Sequence, residues 1–110
     1  MENINLDSMY TQINAEMAKE IMDKEKKKIV LDVRTLEEYE YGHIEEAILI
    51  PYDEIYIRAE NEILNKDDII LVYCRSGVRS ILASRDLVEL GYKNVYEFGG
   101  IIDWPYDIVK

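Results

Sequence analysis

Ile69-Ile-Leu-Val-Tyr-Cys74-Arg-Ser-Gly-Val-Arg79-Ser80 is the stretch whose reading decides the fold. Its first five residues are a continuous apolar run, the pattern of a central parallel strand covered on both faces. A six-residue turn containing Gly77 follows, and the spacing then predicts a helix from about Ser80 to Leu90 with Gly91 as its C′ residue. A buried strand that feeds a helix through a short turn is the repeating unit of an α/β sheet.

The flanking segments repeat the alternation. Tyr10–Ile13 reads as a short strand, and Asn14 as the N-cap of a helix whose apolar face is Met17, Ala18, Ile21 and Met22. The lysines of Lys24–Lys28 sit where a helix C-terminus favours cations. Ile29–Val33 reads as a buried strand. Thr35 and Glu38 then form a T-x-x-E capping box, opening a short helix that Gly42 ends. Ile48–Ile50 is a further strand halted by Pro51, and Tyr52–Leu64 reads as helical. Val95 and Tyr96 start a last strand, which Gly99–Gly100 are expected to break before Ile101–Trp104. Together these segments predict an α/β domain with a mostly parallel sheet.

Composition narrows the function classes. At 110 residues the chain is expected to be one domain with its own core. One Cys and one His leave no internal disulfide and too few soft ligands for a structural zinc site. There is no run of 18 apolar residues, and MENINLDSMY has no basic region followed by an apolar stretch, so a cytoplasmic protein without membrane association is expected. The formal net charge of −10 argues against nucleic acid or an anionic membrane as partner. That charge is lopsided: residues 1–65 hold seven basic and sixteen acidic side chains, whereas Ile69 to Arg85 contains Arg75, Arg79 and Arg85 and no acid. The only cysteine lies inside this locally basic stretch.

Cys74 stands at the carboxyl end of the predicted central strand, where open α/β sheets place their ligand crevices. The turn after it can aim several backbone N–H groups at one centre, and the helix adds its N-terminal partial positive charge. A free thiol has a pKa of about 8.5, which falls to roughly 3.5–7.5 at a helix N-terminus beside cations. Cys74 is therefore expected to be a thiolate nucleophile that needs no histidine base, in a cradle that also stabilises an oxyanion. The competing reading, an inert core cysteine, fits poorly with two Arg, two Ser and a Gly in the next six residues.

This loop resembles the active-site loop of the rhodanese family. Three other stretches agree in order and spacing. Asp32-Val-Arg34, with Glu37-Glu38-Tyr39 and Gly42-His43-Ile44, resembles the D-V-R…E-[YF]…G-H-I signature. Ile48–Pro51 resembles the A-x-x-I-P strand, and Gly99-Gly100-Ile101 through Trp104 resembles the G-G-[ILM]-x-x-W ending. The resemblance implies a three-layer domain with a central, mostly parallel five-stranded sheet over residues 10–110, preceded by an extension at residues 1–9. One departure is Glu46, which stands where the family usually has a second glycine, so the geometry of that turn comes into question.

The resemblance also implies sulfur transfer without a cofactor or metal. Cys74 would take a sulfane sulfur from thiosulfate or a persulfide and pass it to a thiol or cyanide. The backbone from Arg75 through Ser76, Gly77 and Val78 to Arg79 would cradle the terminal sulfur, with Arg75 and Arg79 binding the anionic donor. The spacing Cys74-x4-Arg79 is one residue shorter than the C-x5-R loop of the dual-specificity phosphatases that share the fold. A reductase that cycles through an internal disulfide lacks its resolving cysteine. With one cysteine, the sulfur must leave to another molecule, either a small thiol or a protein. The rival reading is a non-enzymatic regulatory or sulfur-carrier module; a module that only docks a partner is expected to have an ordinary thiol. Among the other residues, His43 is expected to tie down its turn, Asp32 and Arg34 to form a structural pair, and Trp104 to belong to the core. Monomer is the default oligomeric state.

Overall fold

The computed structural model describes residues 10–110; the extension at residues 1–9 lies outside the described residues. Five strands form one sheet in the order β1 (Thr11–Gln12), β6 (Asn94–Gly100), β5 (Ile69–Cys74), β2 (Lys28–Asp32), β4 (Ile48–Leu49). All four pairings are parallel, with β5 in the middle. Helices α1 (Ala15–Lys24), α2 (Leu36–Tyr41), α3 (Ile55–Glu62) and α4 (Val78–Glu89) make the crossovers.

The alternation along β5 sorts the core into two layers. Ile70, Val72 and Cys74 face one cluster with Ile55, Ala59 and Ile63 around α3 and Ala83 and Leu87 of α4. Leu71 and Tyr73 face the other, with Ala18 of α1, Phe98 and Trp104. Covering the sheet on both sides explains why β5 tolerates no polar residue before Cys74. Trp104 is accordingly a core residue.

The capping signals are realised. Asn14 accepts from the Met17 N–H at 2.8 Å. Thr35 and Glu38 exchange both bonds of the capping box. Gly91 follows α4 in the left-handed region at φ 100°.

Several boundaries differ from the sequence reading. Helix α4 begins at Val78, two residues before Ser80, because Gly77 (φ 108°) turns the chain directly into it. Tyr52–Glu54 is a 3-10 turn ahead of α3, since Pro51 leaves the preceding strand in an extended conformation. Gly99 and Gly100 do not break β6, which runs through them with a register shift opposite Val72–Cys74. A two-stranded antiparallel ribbon, β3 (His43–Ile44) with β7 (Ile108–Val109), adds a feature too short to carry a strand period.

Glu46 adopts φ 74°, so the turn needs a left-handed residue and a glutamate supplies it, at a cost of about 1–2 kcal/mol relative to glycine. Its carboxylate is 3.4 Å from Lys28 Nζ at the start of β2. The turn is thus made here with a glutamate in the left-handed position.

Candidate active site

Cys74 ends β5 with its side chain buried, and the chain then wraps around the sulfur. The Gly77 N–H donates to Sγ at 3.0 Å, and Ser80 Oγ lies 3.4 Å from it. Burial pushes the thiol up. The Ser80 hydroxyl and the backbone N–H groups of Ser80, Gly77 and Ser76 outweigh that effect, and the net shift is downward. The donors around Sγ are chiefly backbone groups aimed by the Gly77 turn and the first turn of α4.

Loop closure depends on Gly100. A Cβ there would lie 1.9 Å from the Arg75 carbonyl oxygen and 2.6 Å from Ser76 Cα. Its φ of −137° is ordinary extended backbone, so it is volume that requires glycine. The G-G pair of β6 is the floor on which the cysteine loop rests.

The two arginines occupy different environments. Arg75 is exposed. Arg79 is held in a bidentate pair by Glu38 of α2, Nη1 to Oε1 at 2.8 Å and Nη2 to Oε2 at 3.0 Å. That guanidinium holds the Glu38 carboxyl down to about 2, against the opposing effect of burial. Much of the Arg79 charge is therefore neutralised in place, and the pair clamps α2 to the start of α4. A cleft of about 670 Å³ opens beside the loop, lined by Arg34, Tyr41, Arg75, Ile102, Ile108 and Lys110 among others. Ile102 and Tyr41 present exposed apolar surface there.

A rhodanese-like domain family model matches residues 14–105. The chain belongs to the rhodanese-like family. It is 38% identical over 80 residues to the thiosulfate sulfurtransferase PspE of Escherichia coli (strain K12), covering 73% of this chain and 77% of that one. It is 40% identical over 98 residues to YrkF of Bacillus subtilis (strain 168), described as a sulfur carrier protein, covering 88% of this chain and 52% of YrkF. The chain thus spans about half the length of that relative. A rhodanese-related protein from Thermoplasma volcanium superposes with a TM-score of 0.78 at 36% identity, covering 91% of this chain and 98% of that one.

Around the loop of this rhodanese-like domain, the other signature residues act as framework. Arg34 Nη2 bonds Asp32 Oδ2 at 2.7 Å and the Gly42 carbonyl at 2.7 Å, while Nε meets Asp32 Oδ1 at 2.9 Å. The Tyr73 hydroxyl donates to Asp32 Oδ2 at 2.6 Å and accepts from the Ile44 N–H at 3.0 Å. This network ties β2, β5 and the turn after α2 together. His43 stacks on Tyr39, centroids 3.8 Å apart, and its Nδ1–H donates to the Tyr39 carbonyl at 2.8 Å. It pins that turn, as the sequence suggests.

Two residues at the sulfur site were not singled out in the sequence. Ser80 is buried at the first turn of α4 and touches Sγ. Glu97 of β6 is only 3% exposed and accepts a bond from Ser80 Oγ. The signal for Glu97 was present: it lies two positions from the buried Val95, on the inward face of a strand, where an unpartnered carboxylate has no place.

Proposed function

We propose that the protein is a sulfurtransferase that works through a persulfide on Cys74. The observation that carries this reading is the buried, down-shifted sulfur at the centre of a cradle of N–H donors. The sulfurtransferase name of PspE and the sulfur-carrier name of YrkF support the same chemistry.

With thiosulfate, the Cys74 thiolate attacks the outer sulfur. A new S–S bond forms to Sγ, the S–S bond of thiosulfate breaks, and sulfite leaves with that electron pair. The terminal sulfur of the persulfide carries the negative charge, and the N–H groups of the Arg75–Arg79 turn stabilise it. A thiolate or cyanide then attacks the terminal sulfur and regenerates the Cys74 thiolate. Ser76, Gly77 and Val78 supply backbone to the cradle, and Arg75, exposed at its mouth, attracts the anionic donor. Arg79 shapes the site through Glu38. No cofactor or metal enters these steps. A protein acceptor or donor fits the apolar margin of the cleft as well as a small thiol does.

A docking module that keeps the loop without using it predicts an ordinary thiol, and the downward shift of Cys74 favours the enzyme. Incubation with thiosulfate is expected to add the mass of one sulfur atom, removable by cyanide or dithiothreitol. No addition, or addition that persists in Cys74→Ser, rules the reading out.

A further inference from the structure

Behind the sulfur lies a buried carboxylate that the transfer steps above leave unused. Cys74 Sγ is 3.4 Å from Ser80 Oγ, and Ser80 Oγ donates in turn to Glu97 Oε2 in a short bond. Glu97 is otherwise fixed by the Gly99 N–H on Oε2 at 3.0 Å and by Gln12 Nε2 on Oε1 at 3.2 Å. All three members are buried, at 1% exposure for Cys74, 0% for Ser80 and 3% for Glu97.

A serine hydroxyl has one proton. While Ser80 gives it to the Glu97 carboxylate, its oxygen can only accept, so the chain reads S–H···O–H···carboxylate, and the hydroxyl lowers the thiol only when its proton is turned to the sulfur. The opposite arrangement is thiolate···H–O···H–carboxyl. The two differ by a concerted shift: the S–H proton moves to Oγ as the Oγ proton moves to Oε2. The sulfur keeps its electron pair, no proton leaves, and the trio carries one negative charge in both arrangements. Two negative charges in this buried space would repel at close range, so ionisation of one end favours the neutral form of the other.

We propose that Glu97 is a positioning residue that takes up the Cys74 proton through Ser80, so that the thiolate forms without releasing a proton to solvent. This rests on the sulfur-transfer reading only for its use, since the proton shift is a property of the free enzyme. Among the described residues, few groups face the trio. Cys74 comes from β5, Ser80 from α4, Gln12 from β1, and the Tyr10 ring packs on the same face. Arg79 is paired with Glu38, its charge still reaches Cys74 and favours the thiolate, and no Lys, Arg or His among the described residues pairs with Glu97. Helix α1 lies against the opposite face of the sheet.

The test is the rate of Cys74 alkylation by iodoacetamide from pH 4 to pH 10 in wild type and Glu97→Gln. The carboxamide preserves an acceptor but takes up no proton. Wild type is expected to show two titration steps separated by a plateau of reactivity, and Glu97→Gln a single step. The ratio of wild-type to variant rate then grows about tenfold per pH unit toward acid across the plateau. A variant that reacts as fast as or faster than wild type at pH 6 overturns the proposal, because that is the result of deleting a permanently ionised neighbour. Parallel profiles also overturn it, since they are the mark of a merely structural role. Ser80→Ala, which cuts the connection and leaves Glu97 in place, is expected to give the same single step.

Should Glu97→Gln not fold, infrared difference spectra of the wild type decide the matter. Alkylation at neutral pH is expected to remove a carboxylic acid C=O band, and no change in that region overturns the proposal. Sulfur loading from thiosulfate is measured on the same wild-type sample. Failure to load counts against the sulfur-transfer reading alone, because alkylation reports the proton shift without it.

Discussion

Replacing Gly100 by alanine should do more damage than its modest chemistry suggests. The added Cβ meets backbone, 1.9 Å from the Arg75 oxygen and 2.3 Å from the Arg75 carbonyl carbon. Neither atom can rotate away as a side chain would. Overpacking in a core costs about 1–3 kcal/mol where side chains can adjust; here the cysteine loop itself must lift from β6, so the loss is expected to be at least ~3 kcal/mol. For a domain of this size that corresponds to a fall in Tm of roughly 12–24 °C. Gly99→Ala is the control. Gly99 has φ 90° and nothing within 4 Å of a Cβ, so its cost is the left-handed backbone alone, about 1–2 kcal/mol. Urea unfolding gives the ranking, and iodoacetamide reactivity at pH 7 shows whether the sulfur cradle survives. In Gly100→Ala that reactivity is expected to drop toward that of a free thiol, because Ser76 and Gly77 no longer present their N–H groups. A Gly100→Ala protein within about 1 kcal/mol of wild type, or one less affected than Gly99→Ala, would refute the claim that β6 is the floor of the loop.

Arg34→Ala leaves Asp32 buried without its guanidinium and is expected to cost about 3–5 kcal/mol in a urea titration, a loss under ~1 kcal/mol being incompatible with the network described. The Glu38–Arg79 pair predicts a pH dependence. The folded carboxyl titrates at about 2 against an ordinary 4.5, so its stabilisation is complete above about 4.5 and is lost as pH falls toward 2. Glu38→Gln, which preserves the capping box, should flatten that part of the curve of urea midpoint against pH. Thiosulfate turnover should rise with moderate salt, because a net charge of −10 repels a dianion at long range and Arg79 is already paired. A steady fall with salt would show that the local field of the loop prevails.

Much of the fold was legible in the sequence because its signals are local. The apolar run before Cys74 announces a strand covered on both faces, and Asn14 and Thr35 announce helix starts through bonds that span three residues. The loop around Cys74 was legible for the same reason: strand end, Gly77 and helix start are contiguous, and contiguity brings the Gly77 N–H to the sulfur. The reading erred where the outcome depends on a distant segment. Gly99 and Gly100 look like strand breakers by themselves, yet Cys74 of β5 pairs with Gly100 and the loop lies on the pair. The ribbon of His43–Ile44 with Ile108–Val109 needs both halves to exist.

The charges show the division most clearly. The sequence by itself determined that the single cysteine sits in a basic stretch free of acids, and that a strand and a helix hold it at a crevice. Tertiary structure decided which charges count. It folded Glu38, 41 residues away, onto Arg79. It also brought Glu97, 17 residues beyond Ser80, behind the hydroxyl that touches the sulfur. Proximity in sequence sets the backbone donors of a turn, but ion pairs and proton paths depend on through-space distance, and only the packed sheet fixes those distances.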